Sequence, residues 1–130
     1  MLSEPGARGR PLALIGAVYG LVGVVFGAFG AHGLRNVLDA NGLRAWETAV
    51  DYQLLHAVVL LVIGFVLRSG DTAALRSAGY AIALGVLLFS GSIYVLAFDG
   101  PRWLGPVTPV GGTFLIAGWA SLVYAAVRAR

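Results

Sequence analysis

Apolar residues run almost unbroken through four stretches of this chain, and the short connectors between them together with the two ends hold most of its charges. The stretches at about 11–31, 47–67, 74–98 and 107–127 each reach the ~20 residues a helix needs to cross a ~30 Å hydrocarbon layer. Lipid offers no solvent for an open backbone, so such segments must close their hydrogen bonds internally. The pattern predicts an all-α fold, an integral membrane four-helix bundle in which residues 1–130 form a single transmembrane domain. The first stretch is longer than the ~7–15-residue core of a cleavable signal and is read as a retained helix.

The connectors refine the picture. Leu34, Val37 and Leu38 fall at helical spacing with Arg35, Asn36 and Asp39 between them, and Asn41-Gly42 supplies a stop. This predicts a short helix lying in the membrane interface in the first outer loop, followed by Trp46 as an interfacial anchor. The inner turn offers Asp71 or Thr72 as a cap for the third helix. The outer turn from Asp99 to Pro106 places Trp103 at headgroup level, and Pro106 and Pro109 fall in the first turn or so of the fourth helix, where proline is tolerated.

On the first helix, Gly16, Gly20, Gly23, Gly27 and Gly30 are spaced four, three, four and three residues apart. That rhythm puts all five on one seam, where small residues let another backbone approach closely. It predicts a near-antiparallel contact with a neighbouring helix. Ala78, Gly85 and Ser92, and Gly111, Gly118 and Ala125, form similar stripes on the third and fourth helices. All three serve as packing faces within one bundle, with a homo-oligomer interface as the competing use.

Composition narrows the functions. The chain is 58% hydrophobic and 12% charged, against about 25% charged in soluble domains, and four helices leave no room for a separate catalytic domain. All nine basic residues are arginines placed beside the apolar runs. No exposed basic stripe exists for nucleic acid. Arg8, Arg10, Arg68, Arg76, Arg128 and Arg130 lie on the side of the termini, against Arg35, Arg44 and Arg102 on the other, which predicts both termini in the cytoplasm. With no cysteine, thiolate metal sites and disulfides are excluded.

Polar residues within the spans are functional suspects by default. His32, Glu47, Gln53, His56, Ser90, Ser92, Tyr94, Thr108 and Thr113 all fall toward the outer surface when counted at ~1.5 Å per residue. The inner half is nearly all apolar. This predicts an outward-facing polar pocket or a closed hydrogen-bond network rather than a continuous pore. Tyr52, Gln53 and His56 share one helix face. Glu47 is out of phase with His56 and is expected to cap the second helix or meet His32 or Arg35; Asp51 has the outer arginines as possible partners. His32, Glu47, Asp51 and His56 match no metal-ligand spacing, and Ser90-Gly91-Ser92 lacks the context of a nucleophile. No metal, cofactor or catalytic residue is expected.

Gly27-Ala-Phe-Gly-Ala-His-Gly-Leu34, Trp46-Glu-Thr-Ala-Val-Asp-Tyr-Gln53 with His56, Leu88-Phe-Ser-Gly-Ser-Ile-Tyr94, and Leu104-Gly-Pro-Val-Thr-Pro-Val-Gly-Gly112 with Gly118-Trp119 follow one another in order. Together they resemble the small membrane proteins grouped as domain of unknown function 423, the YgdD-like family, whose animal members are called transmembrane protein 256. Trp46 and Asp51 depart from that pattern, which has a phenylalanine and a basic residue there. The resemblance implies a multi-pass protein of the bacterial inner membrane with no assigned activity.

Three functions follow from these readings. The favoured one is a structural or accessory component of a membrane complex, partnered by the lipid bilayer and by another membrane protein or a second copy. The second is an outward-open binding or transport component. The third is a membrane-embedded enzyme acting on a lipid or quinone, with His56 carrying a proton.

Overall fold

In the computed structural model, which describes residues 7–129, the chain forms four long helices: α1 (Arg10–His32), α2 (Ala40–Val66), α3 (Ala73–Ala97) and α4 (Val107–Arg128). A single 3₁₀ turn, Arg102–Leu104, precedes α4. Each of the four is long and apolar enough to cross a membrane, and the fold is the all-α membrane bundle that the run lengths predict. Arg130, counted above among the inner charges, and residues 1–6 lie outside the described residues.

The local signals explain most boundaries. Thr72 caps α3, its hydroxyl accepting from the Leu75 amide at 3.2 Å, while the Asp71 carboxylate pairs with Arg76. Pro106 caps α4 and Pro109 sits in its first turn. The first outer connector differs from expectation. No separate interfacial helix forms there: residues 33–38 are turns, and α2 begins at Ala40, so Asn41-Gly42 lies inside its first turn instead of ending a helix. The reason is a cap. Asp39 Oδ1 accepts from the Gly42 amide at 2.7 Å, and Leu38 and Leu43, either side of that cap, both pack on the Leu34–Trp46–Val50 cluster. A side-chain cap with flanking apolar residues is a strong helix start. Glu47 consequently lies well inside α2 and caps nothing.

Helices α2 and α3 form the centre, with α1 packed along α2 and α4 along α3. Close backbone approach makes both outer contacts. A Cβ on Gly16 would stand 2.8 Å from the Ala57 carbonyl oxygen, and one on Gly64 would stand 2.5 Å from the Ala13 nitrogen. On the other side, Gly85, Gly111 and Gly118 meet Leu115, the Phe89 backbone and Ile82. Lipid tails are as apolar as leucine, so helices here gain from fit and dispersion rather than from escape from water.

The core is divided by height. Toward the termini it is aliphatic, built from Leu12, Leu60, Ile63, Leu67, Ile82, Ala83, Val86 and Leu115. Toward the opposite end it is aromatic around Trp46, whose ring centroid lies 4.6 Å from Tyr94 and 5.5 Å from Phe26. Trp46 is 3% exposed. It is a core residue and not an interfacial anchor. Trp103, on the 3₁₀ turn, is 68% exposed.

Two glycine substitutions separate fit from helix propensity. Gly111→Ala would place a Cβ 2.3 Å from the Phe89 nitrogen, whereas Gly91 has open space around it. Gly111→Ala is expected to lower stability in detergent by about 1–3 kcal/mol, the cost of overpacking. Gly91→Ala should be neutral or stabilising by up to ~1 kcal/mol, since alanine is the better helix former. Thermal or denaturant unfolding followed by circular dichroism checks both.

Candidate functional site

The buried polar side chains sit on α2 and α3, and their bonds tie the helices together. Gln53, 4% exposed, donates through Nε2 to the Tyr19 carbonyl of α1 at 2.9 Å and accepts through Oε1 from the Tyr94 hydroxyl of α3 at 2.7 Å. The Tyr19 hydroxyl in turn donates to the Ala83 carbonyl at 2.8 Å. Ser90 donates to the Ala49 carbonyl at 2.7 Å, joining α3 to α2. Ser92 meets the Thr108 hydroxyl at 2.5 Å, joining α3 to α4. Among the described residues, no buried side-chain nitrogen or oxygen lacks a partner.

One further bond, from Trp46 to a carbonyl of α1, depends on glycine. A helix carbonyl already accepts from the amide four residues on, and its second lone pair is free only if nothing covers it. A helical side chain leans over the turn before its own Cα, so the residue one turn later can limit access. Gly30 follows Phe26 by one turn. A Cβ on Gly23 would lie 2.7 Å from Leu54 Cδ2 but in ordinary contact, 3.5 Å, with Gln53 Nε2, so Gly23 serves the fit of α1 on α2. A Cβ on Gly30 would lie 2.8 Å from the Trp46 indole nitrogen, which donates to the Phe26 carbonyl at 2.8 Å. At Gly30 the seam opens an acceptor as well as permitting close approach.

His56, 3% exposed, has both ring nitrogens engaged. Its Nε2 lies 3.0 Å from the Trp119 indole nitrogen of α4, and its Nδ1 lies 2.6 Å from the Tyr52 carbonyl. An indole N–H can only donate and a carbonyl can only accept. These partners assign the neutral form with the proton on Nδ1. A second proton, on Nε2, would face the indole N–H and break the bond to α4.

The remaining sequence candidates part from this network. His32, at the last position of α1, and Glu47 are exposed and far from forming a cluster with the rest. Asp51 is exposed as well, and the Asp71–Arg76 contact is the sole ion pair among the described residues. Thr113 is exposed and bonds back to the Pro109 carbonyl of its own helix at 3.0 Å. Tyr52 points to the flank against Phe89, with ring centroids 4.7 Å apart, and meets His56 through its carbonyl and through a ring contact at 6.1 Å. Among the described residues no three His, Asp or Glu side chains gather as a metal site would require.

Tyr19, Trp46 and Trp119 belong to the network although residue-type reasoning passed over them. With α2 started at residue 47, His56 lies ~13 Å along it; from Ala40 the distance is ~24 Å. Beside the network, a crevice of about 230 Å³ opens sideways between α1 and α3. Val18, Val22, Phe26 and Leu87 form its walls, with Gln53 and Tyr94 at its lining. It faces the lipid flank rather than the outer surface.

The family model described as "Protein of unknown function (DUF423)" matches residues 26–112, a span that holds Gln53, His56, Ser90, Ser92, Tyr94 and Thr108 and stops short of Trp119. A UPF0382 membrane protein of Staphylococcus haemolyticus is 44% identical over 111 residues, covering 85% of this chain and 89% of its own. The UPF0382 membrane protein YwdK of Bacillus subtilis is 38% identical, covering 88% and 94%. A UPF0382 membrane protein of Haemophilus influenzae is 38% identical, covering 95% and 98%. No solved structure matches this chain.

Two measurements probe the network. In a double-mutant cycle, Gln53→Leu and Tyr94→Phe should show a coupling of about 0.6–2 kcal/mol, the range for hydrogen bonds between membrane helices; additive effects would deny the bond. Nitrogen-15 spectra of labelled His56 in bilayers should report Nδ1 protonated and Nε2 bare at neutral pH. The opposite tautomer, or an imidazolium, would break the assignment.

Proposed function

The chain belongs to the DUF423 family of membrane proteins, and on that premise we propose that it acts as a structural or accessory component of a membrane complex. The observation that carries this reading is the saturated polar network. Catalytic and transport sites keep donors, acceptors or charges available to a substrate. Here the buried glutamine, histidine and serines and the half-buried Tyr94 have their polar atoms bonded within the bundle. What the protein presents outward is lipid-facing apolar surface, such as Leu21, Val62 and Ile116, and short charged connectors. A body of this kind offers helix flanks to a partner.

The crevice between α1 and α3 favours a second reading, a component that binds a small apolar molecule from the bilayer. Its weakness is that Tyr94 and Gln53 already satisfy each other, so little polar recognition is left for a ligand. The enzyme reading has less support: the acid–base cycle of a proton carrier would break the bond between His56 and Trp119 at each turnover. We place the protein in the bacterial inner membrane, as its family resemblance implies, with both termini cytoplasmic on the arginine asymmetry described above.

Two experiments test this. Expressed at native level and extracted in mild detergent, the 13.5 kDa chain should migrate in a larger assembly with a stoichiometric membrane partner; a lone monomer would contradict the proposal. Because the chain has no cysteine, single thiols report orientation cleanly. Asn36→Cys should react with an impermeant maleimide in intact cells, and Ser69→Cys only after permeabilisation. The reverse pattern inverts the topology.

A further inference from the structure

At the end of the molecule where α1 begins and α2 stops, these two helices leave a crevice of about 300 Å³ on their shared flank. Ala13, Leu14, Ala17, Leu61 and Phe65 wall it, and Arg10 and Arg68 stand at its mouth. Arg10 precedes Ala17 by seven residues and Arg68 follows Leu61 by seven. The two rows therefore run side by side for two helical turns, about 10 Å, from the charges into the apolar layer. The alanines make the room: small side chains on α1 face the larger Leu61 and Phe65 on α2.

The chemistry at the mouth is cationic. The Arg68 guanidinium carbon lies 5.8 Å from the centre of the Phe65 ring, a cation–π contact that holds it over the wall of the crevice. The single ion pair among the described residues is Arg76–Asp71, so neither Arg10 nor Arg68 is neutralised by a described carboxylate. Arginine suits phosphate oxygens because its planar fork can present two donors at once. Basic clefts between membrane helices at the headgroup level suit anionic lipids on the same grounds.

We propose that this crevice binds one anionic phospholipid, with its phosphate between Arg10 and Arg68 and one acyl chain along Ala13, Ala17, Leu61 and Phe65. The shape selects the occupant. A volume of about 300 Å³ over a length of about 10 Å leaves a mean cross-section near 30 Å². A helix ~10 Å across needs more than twice that, so a partner helix does not fit within it. A soluble anion would use the mouth and leave the apolar walls idle. Only a molecule with a charged head and a chain uses both.

The test is lipid retention by native mass spectrometry of the full chain in a neutral detergent, titrated with phosphatidylglycerol or with phosphatidylcholine of the same chains. One phosphatidylglycerol is expected to bind at least about tenfold more tightly than phosphatidylcholine. The exposed pair Arg10→Gln and Arg68→Gln should abolish that preference, and Arg102→Gln at the opposite end should keep it. Ala17→Trp, which fills the crevice and leaves both arginines, should also lose the bound lipid. A millimolar excess of inorganic phosphate should leave the lipid in place. Melting in the same detergent establishes that each variant is folded. Equal retention of the two lipids, selectivity surviving the double arginine change or the filled crevice, or displacement by inorganic phosphate would each overturn the site.

Discussion

Backbone carbonyls in the middle of these helices accept from side chains of their neighbours, and this bundle depends on those bonds. The carbonyls of Tyr19 and Phe26 accept from Gln53 and Trp46, the second where Gly30 leaves room for the indole. Without water to compete, an amide or indole left unpaired at that depth costs several kcal/mol. Glycine also lets the helices come close enough for dispersion to act. Gly30 thus supplies both the fit of α1 on α2 and the room in which the Trp46 indole finds its acceptor. Losing it would cost more than a contact: it would strand a buried donor.

That arrangement has a consequence for function. Gln53 joins α1, α2 and α3, and His56 joins α2 to α4, so the polar residues act as joints. Their hydrogen bonds fix the relative height of the helices, which apolar packing against lipid specifies weakly. A chain built this way holds its shape without a soluble domain, and its chemical individuality is moved to its flanks and ends. The crevice with Arg10 and Arg68, like the lipid-facing helix surfaces, belongs to that exterior.

Much of the architecture was legible from the sequence. Runs of about 20 apolar residues specify helices in a bilayer almost by length alone, and the alternating glycines of α1 announce a close contact. Thr72 was legible as a cap, and Gln53, Ser90 and Ser92 as buried polar residues by type and depth. The start of α2 was not, because Asn41-Gly42 reads as a breaker until the Asp39 cap and the Leu38–Leu43 pair around it are weighed together. That single boundary also misplaced Glu47, which lies inside α2 and not at its start. Other parts were illegible for a different reason. The acceptors at Tyr19, Phe26, Ala49 and Ala83 are backbone oxygens, which no inventory of residue types contains. Tyr19, with its carbonyl and its hydroxyl both in use, looks in the sequence like one more aromatic in an apolar run.

The account rests on a polar interior that is closed to water, and solid-state NMR of the protein in lipid bilayers addresses that most directly. Magnetisation transferred from water should reach the charged connectors quickly and the Gln53 side-chain amide and the Trp46 and Trp119 indole N–H groups only slowly, by diffusion through the protein. Prompt transfer to Gln53 or to the Trp119 indole would mean a hydrated cavity where a sealed joint is described, and would contradict it.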